Sequence, residues 1–378
     1  MEQIILTVDE NYTELENYLA RVEAKNILLV CGKSINMMNI NHFFININSR
    51  KEYNVIKFDE FEPNPKYESV VRGVDIFNTF SCDTIIAVGG GSAIDVAKCI
   101  KLFSNMSDSN DYLEQTIIPN DITFIVMPTT AGTGSEATKY AVIYHDGEKQ
   151  SITHESCIPD CVIFDETAVK TVPMYHRKAA MMDAFCHSIE AFWSINSTEE
   201  SKKYAKMAIN LILDNMEAYL NNDNVGNANM LKAANYAGKA INITQTTAGH
   251  AMAYKLTSIY NVAHGHAVTL CIRKLWPYMI NHLDDCIDKR GKKYLEDTYR
   301  ELASITGCDD TISSVERFEA VFDMLDFEIP QIASDEECQK IKDSVNATRL
   351  ANNPVLLLEK NIDELYHMIL DRSDEIAV

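Results

Sequence analysis

The stretch Asp83-Thr-Ile-Ile-Ala-Val-Gly-Gly-Gly-Ser-Ala-Ile-Asp-Val-Ala-Lys-Cys-Ile-Lys-Leu-Phe103 constrains this chain more than any other. An apolar, β-rich run from Thr84 to Val88 passes through Gly89, Gly90 and Gly91 straight into a segment, Ala93 to Phe103, with apolar residues at helical spacing. A short continuous apolar run predicts a strand buried on both faces, and an immediate helix supplies the crossover that a parallel neighbour requires. The same texture recurs through the first 170 or so residues. Asn26–Cys31, Asn54–Phe58, Thr123–Met127 and Cys161–Phe164 read as further strands, and Asn64–Phe80 as a helix between two of them. The pattern predicts a doubly wound, mostly parallel sheet.

After Pro173 the texture changes. Helical patterns cover Arg177–Phe192, Glu199–Asn221, Met230–Ile241, Leu295–Thr306 and Ile362–Asp371, with the polar run Asn221–Gly226 as a connector. The expected fold class is therefore α/β plus all-α, with an α/β domain over 1–172 and an all-helical domain over 173–378. A chain of 378 residues, 46% hydrophobic and 24% charged, has the mass for two such cores.

Charge excludes some partners. A formal net charge of -21 argues against nucleic acid and anionic membranes, which call for a basic face, but a few local cations or helix N-termini can still hold a small anion. The acidic start MEQIILTVDENYTELENYL lacks the basic flank and apolar stretch of a signal peptide, and no run of roughly 18 apolar residues follows. A cytoplasmic protein is expected. The ten cysteines are scattered among apolar neighbours and read as small buried hydrophobes, the lone Cys157/Cys161 pair being weak evidence for zinc.

Two loops carry ligand chemistry. Gly89, Gly90 and Gly91 let backbone approach a ligand, Ser92 can cap and donate, and the helix start offers N–H groups and a favourable dipole to a pyrophosphate. Met127-Pro-Thr-Thr-Ala-Gly-Thr-Gly-Ser-Glu136 places Thr129, Thr130 and Thr133 where a strand's carboxyl end opens onto a loop, and together the two suggest a dinucleotide.

Downstream, Asp183 and His187 are four apart and share a helix face. Ala248–Tyr260 reads as a helix containing His250, and Ala263-His-Gly-His266 as the turn after it. Spacing alone leaves these histidines open between satisfied core residues and ligands.

In their order, GGGSAIDVAK, PTTAGTGSE, DAFCHSIEAF and HAMAYKLTSIYNVAHG resemble the iron-dependent (group III) alcohol dehydrogenase family across nearly the whole chain. The resemblance implies a nucleotide-binding domain, then a helical domain, with the active site in the cleft between. It also implies Asp183, His187, His250 and His264 as metal ligands for Fe²⁺ or Zn²⁺, and NADPH or NADH as hydride donor. Gly32, Lys33 and Ser34 stand where NADH-preferring members often carry an acidic residue, so NADPH is expected to be accepted; Asn64, Asp95 and Lys149 complete the cofactor residues. His266 is extra to the family pattern and is given a structural or supporting role. Tyr254 stands where many members have a histidine and is assigned to substrate or proton contact, with packing as its alternative.

Within the family, the segments Ile243–Val268 and Thr348–Pro354 are most similar to members that reduce phosphonoacetaldehyde. Lys255, Arg273 and Arg349 are the cations that a phosphonate-bearing aldehyde would meet, Lys255 foremost. Three alternatives stand beside this reading: a general short-chain alcohol dehydrogenase, a dehydroquinate-synthase-like metal enzyme, and a cofactor-binding protein without catalysis. A homodimer is compatible with all four.

Overall fold

The sheet follows from four short runs, Asn26–Cys31, Thr84–Gly89, Thr123–Pro128 and Cys161–Ile163, too apolar to face water on either side, flanked by two edge strands. A computed structural model describes residues 3–108, 111–332 and 334–370. Its first part runs β1 (Ile4–Leu6), α1 (Thr13–Arg21), β2 (Asn26–Cys31), α2 (Asn39–Ser49), β3 (Asn54–Phe58), α3 (Tyr67–Thr79), β4 (Thr84–Gly89), α4 (Gly91–Phe103), β5 (Thr123–Pro128), β6 (Tyr140–His145), β7 (Glu148–Thr153) and β8 (Cys161–Ile163). Six strands form one sheet in the order β1-β8-β5-β4-β2-β3, every pair parallel. Side chains alternate across it. Leu28, Val30, Ile85, Ala87, Phe124 and Val126 enter one core with α3 and α4, while Ile27, Leu29, Ile86, Val88, Ile125 and Met127 enter the other with α1 and α2.

Helices α1 and α2 escaped the sequence reading, and among the strands so did β1 and the β6–β7 hairpin. β1 has only three residues in an acidic surrounding. The β6–β7 hairpin carried a usable signal, since Asp146-Gly147 sits between two strand-compatible runs and both residues have positive φ, 51° and 79°, as a tight hairpin turn requires.

The second part is helical: α5 (Met174–Trp193), α6 (Glu199–Leu220), α7 (Asn224–Thr244), α8 (Ala248–Tyr260), α9 (His264–Asn281), α10 (Lys292–Ile305), α11 (Thr311–Leu325), α12 (Asp335–Asp343), α13 (Ala347–Leu350) and α14 (Glu359–Ile369). The chain divides into two compact units, one up to Val172 together with Asn221–Asn235, the other comprising Pro173–Leu220 and the chain from Tyr236 on. A single cut at 172 misses this, because α7 is one helix by backbone yet divides after Asn235 by packing. The polar connector shortens too: α7 already includes Val225 and Gly226.

A larger correction concerns His264. The expected turn Ala263–His266 is instead the first turn of α9, and the break lies at Asn261, in the left-handed region at φ 52°. Gly265, in that first turn, is a packing residue. A Cβ there would stand 1.9 Å from the Ala179 carbonyl oxygen and 2.8 Å from the Asp183 Cβ. Only glycine lets the start of α9 lie directly against α5 at Asp183.

Candidate functional site

Each unit carries its own constellation. In the first, the chain steps from β2 outward to β3 and then returns to the opposite side of β2 as β4, so strand order reverses between β2 and β4. Open parallel sheets bind ligands outside the carboxyl ends of the strands at such a switch. Here those ends lead into Gly32, Lys33 and Ser34 after β2 and into Gly89–Ser92 after β4. Gly90 is the extended residue just before α4, so the unpaired N–H groups of that helix's first turn open at the switch.

The threonine loop after β5 packs directly on the glycines. Thr129 N donates to Gly89 O at 3.0 Å, and a Cβ added at Gly90 or Gly91 would lie 3.3 Å from Thr130 Oγ1 or Thr133 Cγ2. Behind it, Lys98 of α4 is fully buried. Its Nζ donates to the Thr138 and Tyr140 carbonyls, each at 2.7 Å, and to the Ser135 and Thr138 hydroxyls. Burial pulls that ammonium below its usual range, with Asp95 opposing.

Asp95 is engaged by the protein itself. It accepts from Ser135 Oγ at 2.8 Å and Val142 N at 3.2 Å, and burial raises its carboxyl despite Lys98 beside it. These bonds tie α4 to the threonine loop and β6. Asn64 lines a surface cavity with Lys66, Tyr144 and Asp146, and Lys149 is exposed on β7.

The second constellation is built from side chains. α5 presents Asp183, His187 and Glu190 at helical spacing, and α8 brings His250 against them. One ligand atom each from Asp183, His187 and His250 lies within 4.8 Å of the others, and all three residues are buried. The His187 and His250 rings stack with centroids 4.3 Å apart. His264 stands beside this trio, half-buried, with its ring centroid 5.5 Å from that of His250.

Electrostatics favour the ligating form of Asp183 and His187. Burial would raise the Asp183 carboxyl, but His187, His250 and His264 outweigh it and keep it below the usual carboxylate range. Burial takes the His187 imidazole down to about 4, so it is neutral near pH 7. His250 is pushed upward, because Glu190 and Asp183 outweigh its burial.

Glu190 is the functional residue that sequence reasoning passed over. It is completely buried, pairs with His250 Nδ1, and accepts from Thr247 Oγ1 at 2.7 Å and Thr247 N at 3.2 Å. A carboxylate on Nδ1 fixes the imidazole's orientation and leaves Nε2 for the trio. The available signal was its place three residues beyond His187 on the same helix.

Asp183 Oδ1, His187 Nδ1 and His250 Nε2 are buried without a hydrogen-bond partner. Each such group costs about 1–3 kcal/mol, which a cation between them offsets. A carboxylate and imidazoles are suitable donors for iron or zinc, so the residues fit a divalent metal. A second group, Cys338, Asp363 and His367, also meets within 4.8 Å, but Lys342 already sits 2.7 Å from Asp363 Oδ1.

The other sequence candidates divide sharply. Tyr254, four residues beyond His250, stacks on His264 at 6.1 Å between centroids. Lys255 is exposed on α8 and does not join the cluster. Arg273 is taken up by Glu319 at 2.6 Å and lies over Phe322. His266 is a tie: Nδ1 meets Tyr175 Oη at 3.0 Å, Nε2 meets Glu328 O at 2.9 Å, and the ring stacks on Phe327. The Cys157 and Cys161 thiols are buried and free.

Residues 3–166 match the family described as iron-containing alcohol dehydrogenase, and residues 178–370 match the Fe-containing alcohol dehydrogenase family, C-terminal. Long-chain-alcohol dehydrogenase 1 of Geobacillus thermodenitrificans is 28% identical over 92% of this chain and 90% of its own. Phosphonoacetaldehyde reductase of Streptomyces viridochromogenes is 29% identical over 60% of each. The match to aldehyde-alcohol dehydrogenase 2 of Entamoeba histolytica spans only 37% of that protein. Among solved structures, sulfoacetaldehyde reductase from Bifidobacterium kashiwanohense in complex with NAD+ superposes with a TM-score of 0.87 over 98% of both chains at 24% identity. Among the described residues, no helix is long and apolar enough to cross a membrane.

Proposed function

Because the chain belongs to the iron-containing alcohol dehydrogenase family, we propose that it reduces a small aldehyde to the corresponding alcohol with NADPH or NADH, its preferred pair being phosphonoacetaldehyde and 2-hydroxyethylphosphonate. The observation that carries this reading is the buried trio Asp183, His187 and His250 with its unpartnered ligand atoms. These residues, with His264 as fourth donor, would hold Fe²⁺ or Zn²⁺. When bound, such an ion supplies Lewis-acid polarisation of a carbonyl oxygen, and a nicotinamide supplies the hydride.

The protein's own groups do the rest. Glu190 holds His250 in one orientation, and Gly265 lets α9 bring His264 against α5. Gly89–Ser92 and the start of α4 receive the pyrophosphate through backbone N–H groups. Tyr254 walls the metal cluster on the His264 side. The Streptomyces relative supports phosphonoacetaldehyde as the substrate. Ten free cysteines support a reducing, cytoplasmic setting.

A panel of aldehydes assayed with NADPH and NADH, after loading with Fe²⁺ or Zn²⁺, tests the reading. Metal-dependent oxidation of the cofactor with phosphonoacetaldehyde favoured over propanal is expected. Cofactor oxidation that survives full metal removal overturns the mechanism, and a preference for propanal overturns the substrate.

A further inference from the structure

Among the cations near the metal-type cluster, one is both close and uncommitted. Arg349 lies in α13, a single helical turn whose start is capped by Asn346 Oδ1 accepting from Arg349 N at 2.9 Å. Its guanidinium carbon sits 5.0 Å from the Tyr254 ring centroid, and that ring stacks on His264, whose own ring faces His250. The sequence His250, His264, Tyr254, Arg349 is thus a continuous row of side chains leading away from the buried trio.

Among the described residues, no carboxylate pairs with Arg349. Two other arginines of the helical unit are committed to carboxylates: Arg273 is bound by Glu319 and Arg290 by Asp288, each at 2.6 Å. Lys255, the cation that the sequence favoured, follows Tyr254 by one residue and therefore lies about 100° further round the helix, where it is exposed. Arg349 is half-buried, so its charge is less screened than that of a solvated lysine.

We propose that Arg349 is the anion anchor of this site, binding the phosphonate of the aldehyde substrate while the carbonyl lies toward Asp183, His187 and His250. The assignment rests on the substrate reading above. Guanidinium suits the task. Its planar fork offers parallel N–H donors to two oxygens of a tetrahedral anion, and the face of Tyr254 holds it in place before substrate arrives. The specificity for a charged aldehyde then resides in a residue that donates nothing to the metal.

The test compares the metal-loaded wild-type protein with Arg349→Met and Arg349→Lys on phosphonoacetaldehyde and propanal, with calorimetric binding of 2-hydroxyethylphosphonate as an equilibrium readout. Loss of one charge-assisted contact is expected to lower kcat/KM for phosphonoacetaldehyde by roughly 10- to 100-fold in Arg349→Met, mainly through KM. Propanal reduction and metal content stay at wild-type levels, product binding weakens by a similar factor, and Arg349→Lys recovers part of the loss. Wild-type preference for phosphonoacetaldehyde combined with equal losses on both substrates, in whichever variant folds, overturns the role of Arg349 alone. A wild-type protein that prefers propanal overturns the substrate reading, and the anchor with it.

Discussion

The two constellations solve opposite problems. At the switch between β2 and β4 the ligand surface is mostly backbone: glycines, helix-start N–H groups and threonine hydroxyls, with the charged residues behind it, Asp95 and Lys98, tied into the fold. In the helical unit the surface is side chains, and it contains buried donors and acceptors left without partners. A backbone cradle is complete when the fold is complete, whereas a side-chain cluster of this kind carries a desolvation cost until a cation arrives. The first should tolerate loss of its ligand. The second should be stabilised by it.

The sharpest break of this comparison is His250→Ala. It removes one of three clustered ligands, so metal content should fall to background and aldehyde reduction by on the order of 10³-fold or more. NADPH binding measured by fluorescence titration should persist; its loss together with the metal would mean that the two sites are not separable.

Next in size is Glu190→Gln. Its carboxylate accepts from Thr247 and pairs with His250 Nδ1, while an amide nitrogen offers a donor where donors already point. Metal affinity, read by competition with a chelator, should weaken about 10- to 100-fold while dinucleotide affinity is unchanged. Unaltered metal affinity would leave Glu190 as a packing residue of α5.

The backbone site is probed by Gly91→Val. A branched side chain would press on Thr133 and cover the start of α4, so dinucleotide affinity should drop by about tenfold with metal content intact. Equal metal loss would argue that the substitution merely unfolds the chain. The smallest expected effect belongs to Gly32→Asp, at the carboxyl end of β2. An acidic group there repels a 2′-phosphate, which should shift preference several-fold toward NADH. Unchanged preference would move the adenosine ribose elsewhere.

Much of the first unit was legible because its information is local. A strand, its glycine turn and its helix are consecutive, and α4 and five of the six sheet strands could be read within a residue or two; β1 was too short to register. The β6–β7 hairpin was missed although Asp146-Gly147 announced it. Family resemblance brought Asp183, His187, His250 and His264 together, whereas spacing alone left them open.

What the sequence determined by itself was therefore the alternation of strand and helix and the glycine turn after β4, while the metal-type residues were picked out by family resemblance. The tertiary structure decided which neighbours those residues keep. Glu190 behind His250, Gly265 packed against α5, and Arg349 over the Tyr254 ring all depend on helices distant in the chain. The physical reason is one of range. Turn chemistry and periodicity act over a few residues, whereas the pairing of a buried charge is set by whichever element packs against it, and no local pattern encodes that choice.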